Sequence, residues 1–303
     1  MCKNQRLSGQ VTWVGTSSME IRMQICELGE NEQVDDPWLE AYFTFVAVDP
    51  DTNKPTKICP LIPESSEERA LFELGSLKVA KKKQNRKQNS IIAGERMSEE
   101  VVAQEKRAEK LLQDAFPLLR LPSLADPNSI LMSHTMMQNT LIAQPQVRNL
   151  NDRIFGGFLM RRAFELAFAN AYTFGGEWPQ MLEVDNITFH RPVDVGNLLQ
   201  FQSRVIYSLP EGGDLGPGLA PHRGKPLIMI EVLCTILIPE EVKAHVTNRF
   251  YFTFLLPKKE SCRMVLPGTL EEARGMVARM VADEEQAGFQ KGYLCRQSFE
   301  DNQ

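Results

Sequence analysis

The sequence predicts an α+β fold in which an antiparallel sheet wraps one long central helix, present as one complete copy and one partial copy. Three observations carry this. Residues 156–174 are rich in helix formers and apolar around much of a helical cylinder, so that helix belongs inside the molecule rather than on its surface. Strand-like segments follow it in an order that suits antiparallel pairing. The tetrapeptide Tyr-Phe-Thr-Phe stands at Tyr42–Phe45 and again at Tyr251–Phe254, each time after two similar strand-like segments, as a duplicated domain would place it.

Taken in order, Gly9-Gln-Val-Thr-Trp-Val-Gly15, Ser18–Cys26 and Leu39–Val48 read as strands. In the second, Met19, Ile21, Met23 and Ile25 alternate with Glu20, Arg22 and Gln24, which predicts an apolar buried face and a polar wet one. Because the chain is already strand-like by Val11, the first copy is expected to lack its opening strand and helix. Pro63-Glu-Ser-Ser-Glu-Glu opens like a capped acidic helix. Lys78–Lys87 is a basic run, expected to be a solvated linker or a contact for a phosphate group, and residues 95–113 look helical and highly charged. The central helix then ends at Gly175-Gly176, a C-cap signal. Strands follow at residues 179–189, 196–206, 226–238 and 248–256, with a Pro/Gly-dense loop at 210–221. Residues 270–286 read as an amphipathic helix with Ala273, Met276, Val277, Met280 and Val281 on one side. The domain reading is therefore residues 1–63 for the later part of a first copy, 64–128 for a charged helical linker, 129–257 for a complete second copy, and 258–303 for a helical tail.

The 303 residues, with a formal net charge of −5, have room for two cores and lack the basic excess of a nucleic-acid binder. No apolar run is long enough for a membrane span. The six cysteines are scattered without a CxxC pair or a histidine at zinc spacing, so they read as reduced thiols and no metal or other cofactor is expected. The four histidines accompany no nucleophile motif, and no GxSxG elbow occurs, which disfavours a serine hydrolase.

The informative stretch is Asn149-Leu-Asn-Asp-Arg-Ile-Phe-Gly-Gly157, leading straight into the central helix. Glycines at a helix start let a ligand approach the backbone, and the first amides of a helix sit unpaired at its positive end. Such amides can stabilise an oxyanion when water attacks a carbonyl.

This run, with Trp13-Val-Gly and Ser18-Met-Glu, resembles the mitochondrial two-hotdog acyl-CoA thioesterases, from Gly9 to about residue 257. The resemblance implies two hotdogs side by side, an acyl-CoA substrate at their seam, hydrolysis to a free acid and CoA, a homo-oligomer joined through sheet edges, and a mitochondrial location whose transit segment is not in this chain. It implies that Asn149 positions water or polarises the substrate and that Gly157 lends its amide to the oxyanion, with Gly156 and Phe155 contacting substrate. The family's carboxylate falls at Phe164 here, and Glu165 lies about 100° further round the helix, so an acid from the other hotdog is required. Two other readings stand beside hydrolysis. One is a catalytically inactive hotdog module that binds CoA esters or assembles with a partner. The other is a hydratase, disfavoured because no histidine stands near Asp152.

Overall fold

The computed structural model describes residues 4–28, 37, 39–52, 54–91, 99–149, 152–185, 187, 189–211 and 224–284. The chain divides into two compact units, Met1–Met97 and Ser98–Gln303.

Unit 1 is a three-stranded antiparallel sheet of β1 (Gln5–Val14), β2 (Ser18–Glu27) and β3 (Leu39–Val46), in that order, with α1 (Ser66–Ile91) packed on it. A capping box starts α1, as its sequence predicts. The Glu68 amide donates to Ser65 Oγ at 3.1 Å while the Glu68 carboxylate accepts from the Ser65 and Glu64 amides at 3.1 and 2.7 Å. The face that α1 covers is the reverse of the expected one. Trp13 Nε1 donates to Ser76 Oγ at 3.0 Å, and a Cβ at Gly75 would lie 2.5 Å from that of Trp13, so only glycine allows the approach. Lys78 Nζ lies 3.7 Å from Glu20 and 3.6 Å from the Tyr42 ring centroid. Glu20 is consequently buried, whereas Met19, Ile21, Met23 and Ile25 are only half-buried. Alternation identifies two faces; what decides which is covered is the helix that packs there. The side chains of residues 81–91, most of the basic run, lie outside the described ones.

Unit 2 opens with α2 (Glu99–Asp114) and the short α3 (Phe116–Arg120). β4 (Ser129–Leu131) pairs in parallel with β10 (Met264–Leu266). The main sheet has five antiparallel strands in the order β5-β7-β8-β9-β6: β5 (Met137–Ile142), β7 (Leu198–Leu209), β8 (Leu227–Ile238), β9 (Lys243–Leu255) and β6 (Gln180–Val184). Across its inner face lies α4 (Gly156–Gly175), closed by Gly176 at φ +67°. A sheet wrapped on a single helix is the architecture expected of this half, and it is the arrangement that defines a hotdog domain. The Pro/Gly-dense loop falls mostly in 212–223, outside the described residues.

All six α4 residues placed on one face by their spacing (Leu159, Ala163, Leu166, Ala167, Asn170 and Phe174) are buried. Phe164 packs edge-on to Phe252 and stacks on Phe254, at centroid distances of 5.9 and 6.3 Å. Asn170 is the polar exception. Its amide donates to Thr135 O at 2.8 Å and to Ser203 Oγ at 3.0 Å, which offsets the cost of burying it. The opposite side of α4 is exposed at Met160, Arg161, Arg162, Glu165 and Tyr172, so the helix is covered on one flank rather than all round.

The outer face of the same sheet is covered by residues 270–284, here α5, whose Ala273 and Val277 pack with Ala108 of α2. Arg279 of α5 ion-pairs with Asp185 and Asp283, and Tyr207 donates to Asp283. Burial alone would lower the Arg279 pKa; the two carboxylates instead hold it above its ordinary value. Beside them Glu231, 1% exposed, accepts from Arg204 at 2.8 Å and Arg249 at 2.6 Å.

Candidate active site

The chain reaches α4 through a tight hairpin. The Phe155 amide donates to Val147 O at 2.9 Å, the Asn149 amide to Arg153 O at 2.6 Å, and the Asp152 amide to Asn149 O at 3.1 Å. Asp152 makes the reversal at φ +56°, a conformation that aspartate tolerates better than most residues. Asn149 Oδ1 accepts from the Arg153 amide at 3.1 Å. That bond fixes the plane of the Asn149 carboxamide and ties it to the segment that becomes α4 three residues later. The Ile154 amide donates to Val193 O at 2.8 Å, anchoring the hairpin to the body of unit 2.

At the helix tip the N-cap position is Phe155, which supplies no side-chain cap, and the first turn contains no acidic residue. Helix starts are ordinarily closed by a Ser, Thr, Asp or Asn oxygen; here the positive end is left for another acceptor. The Phe158 and Leu159 amides donate to Phe155 O at 3.0 and 3.4 Å. Among the described residues, neither the Gly156 nor the Gly157 amide has an acceptor. Two aromatic rings flank the pair. A Cβ at Gly157 would lie 2.4 Å from Cε1 of Phe155, and one at Gly156 2.7 Å from Cζ of Phe189. A side chain at either glycine would have to displace the neighbouring ring. Phe155 and Phe189 are 59% and 50% exposed, so apolar surface borders the two glycines.

Asn149, Phe155, Gly156 and Gly157 thus lie on one hairpin and helix tip. Phe189 joins them and was missed in the sequence, where it is only the last residue of a strand-like run. Three of the nearby carboxylates are engaged elsewhere, while Asp194, whose backbone bridges to Arg153, is exposed. Asp152 pairs with Arg148 at 3.1 Å on the exposed hairpin, and Asp185 is held by Arg279. Glu165 accepts from Arg161 at 2.9 Å and Arg162 at 2.8 Å. The Arg161 hydrogen bond holds the Glu165 carboxyl below its ordinary value, outweighing slight desolvation, with Arg162 adding to it. It is thus a weak base. Phe164 faces the core and has no acid–base chemistry. An uncapped helix N-terminus of this kind can accept an anionic oxygen.

No family model matches the chain. Over 287 residues, 92% of its length, it is 38% identical to acyl-coenzyme A thioesterase 2, chloroplastic, of Humulus lupulus, and spans 62% of that protein. Over 282 residues, 90% of its length, it is 34% identical to acyl-coenzyme A thioesterase 9, mitochondrial, of Homo sapiens, and spans 59% of it. The chain thus spans about three-fifths of the length of these curated relatives. Among solved structures, it superposes on an acyl-CoA hydrolase from Staphylococcus aureus with a TM-score of 0.47 and 20% identity, covering 57% of this chain and 98% of that one. The resemblance carried by Asn149–Phe174 therefore extends along nine-tenths of the sequence, and it is to acyl-coenzyme A thioesterases, type nine included.

Proposed function

We propose that this chain acts in the hydrolysis of fatty acyl-CoA to free fatty acid and CoA, with the N-terminus of α4 serving as the oxyanion site. The thioester oxygen accepts from the Gly157 amide, while Asn149 positions the attacking water or polarises the carbonyl. Phe155, Gly156 and Phe189 contact the substrate. Water adds to the carbonyl carbon, the oxyanion forms against the positive helix end, and the C–S bond breaks to release CoA thiol and a carboxylic acid. The proton leaving the water needs a carboxylate, and with Phe164 at the family's position that group comes from a second hotdog helix. No metal or organic cofactor enters the scheme.

The observation that carries this reading is an uncapped Gly-Gly helix tip, hydrogen-bonded back to Asn149 through one hairpin, in a chain related to thioesterases over most of its length. The test is thiol release from medium-chain acyl-CoA. Gly157→Pro, which removes the backbone N–H in the first helical turn where proline is tolerated, and Asn149→Ala are each expected to lower kcat by about 10²–10³, as losing an oxyanion donor does. Unchanged turnover in both variants would remove the proposal.

A second reading, a hotdog module that binds CoA esters without hydrolysing them, is favoured by Phe164 and by the engagement of Glu165 in ion pairs with Arg161 and Arg162. Saturable protection of the chain by CoA with no thiol release would select it. Homo-oligomerisation through the free edges of β5 or β6, and a mitochondrial location, complete the proposal. Sedimentation showing a stable monomer would count against the first, and exclusion of the tagged protein from mitochondria against the second.

A further inference from the structure

Phe189 reaches the tip of α4 through a break in strand alternation. Beyond β6 the chain still runs along β9. The Asp185 amide donates to Tyr251 O at 3.1 Å and the His190 amide to Thr247 O at 3.2 Å. From Tyr251 to Thr247 β9 advances four residues, whereas from Asp185 to His190 its neighbour advances five. One residue is in excess, and such an excess exchanges the faces of the side chains that follow it.

The exchange is visible at its two ends. Val184 pairs with Phe252, whose ring meets Phe164 of α4 on the inner face. Asp185, the next residue, is on the outer face and ion-pairs with Arg279 of α5. Strict alternation would keep residue 189 on the side of Asp185. Phe189 lies instead against α4, where a Cβ at Gly156 would come within 2.7 Å of its Cζ.

What holds the outer end is a buried ion pair. Arg279 is 8% exposed, and its guanidinium lies 4.7 Å from the centroid of Tyr251, the residue whose carbonyl accepts from the Asp185 amide. Backbone and side chain of Asp185 are thus fixed at one point, while Asp283 of α5 steadies Arg279 from its own helix. Turning Asp185 to the inner face would place an unpaired carboxylate against an apolar core.

We propose that Arg279 and Asp185 are positioning residues for the helix tip. Their ion pair fixes the register beyond β6 that sets the Phe189 ring against Gly156, so α5, on the other side of the sheet, shapes the end of α4. Without the clamp the segment can slip by one residue into regular alternation, which turns residue 189 outward. That Phe189 meets acyl-CoA rests on the function proposed above; the placement of its ring does not.

Two readouts separate these. The first needs no ligand. In the ¹⁵N-labelled full chain the ring current of Phe189 displaces the Gly156 amide resonance, and Phe189→Leu gives its value without the ring. Asp185→Ala, which leaves Arg279 paired with Asp283, is expected to move Gly156 to that value, and Asp185→Glu to restore it. Should Asp185→Ala lose its cooperative melt, Asp185→Asn is read in its place, with a displacement in the same direction expected. A Gly156 resonance unmoved in the folded variant would overturn the proposal and leave the pair a stabilising contact only.

The second readout is affinity for a non-hydrolysable thioether analogue of a medium-chain acyl-CoA. Phe189→Leu and Asp185→Ala are each expected to weaken binding by about tenfold, the equivalent of one lost aromatic contact. The double variant should bind no more weakly than Phe189→Leu alone, because both changes act through one ring. Losses that multiply would overturn the proposal. A Gly156 resonance that moves as expected, with affinity unchanged in Phe189→Leu, would uphold the positioning and refute the substrate contact of Phe189.

Discussion

Unit 1 and unit 2 solve the outer face of a sheet in the same way and the inner face differently. In both, a helix crosses the outer face, takes a hydrogen bond from an aromatic residue next to a β-bulge, and sets a cation over a tyrosine. In unit 2 the inner face is closed by α4, and the repeated phenylalanines are fully buried. In unit 1 the same residues keep two-fifths to a half of their surface. One strand pattern therefore yields a closed core or a partly open face, according to whether an apolar helix lies on it.

The comparison gives a graded set of expectations. The largest effect is at the phenylalanines. Phe252→Ala should cost about 3–5 kcal/mol, as truncation of a fully buried aromatic does, whereas Phe43→Ala, incompletely buried, should cost less than about 1 kcal/mol. Urea midpoints of the two variants check this, and equal losses would break the distinction.

Next are the outer-face cations. Arg279→Met leaves Asp185 and Asp283 without their buried partner and should cost about 3 kcal/mol or more. Lys78→Met, at a partly exposed pair, should cost under about 1 kcal/mol. Similar shifts in melting temperature for both would show that α5 is no more tightly latched than α1.

Cys234, on the inner face of unit 2, sets a pH dependence. Burial pushes its thiol up from 9.0 to about 11, against a lowering hydrogen bond from Thr247. The folded state then holds its proton where the unfolded state has released it. The contribution is fully present below pH 9.0 and is lost as pH rises towards about 11. A displacement of that size corresponds to about 2–3 kcal/mol of stability. Cys234→Val should flatten the stability–pH curve over that window, and an unaltered curve would assign the alkaline loss elsewhere.

A further expectation concerns Gly75. Alanine there meets Trp13 and should cost about 1–3 kcal/mol through overpacking, read as a shift in urea midpoint. A neutral result would mean that α1 is free to slide on its sheet.

What the sequence made legible follows from what periodicity contains. The buried stripe of α4 could be read residue by residue, because a 3.6-residue period reports directly which side chains share a face. The alternation in β2 defined two faces equally well, yet it could not say that Glu20 would be buried with Lys78 and Thr12 while Ile21 stayed half-open. That outcome depends on α1, more than forty residues downstream. The Arg279–Asp185 pair spans 94 residues and leaves no local trace. Strand ends were misplaced where the pattern turns polar, so β9 begins at Lys243 rather than Asn248. At the candidate site, Asn149 and the glycine pair were visible through the family likeness. Phe189 was not, because its role depends on a chain reversal that brings its ring against Gly156.

The most direct test concerns the helix tip itself. Amide resonances of the ¹⁵N-labelled chain should be followed while a non-hydrolysable thioether analogue of an acyl-CoA is added. The account predicts that the Gly157 amide moves most, with Gly156 and the Asn149 side-chain amide following it, and that the Gly157 shift is lost in Asn149→Ala. Shifts clustered elsewhere, with Gly157 unmoved at saturation, would contradict the assignment of that helix end as the oxyanion site.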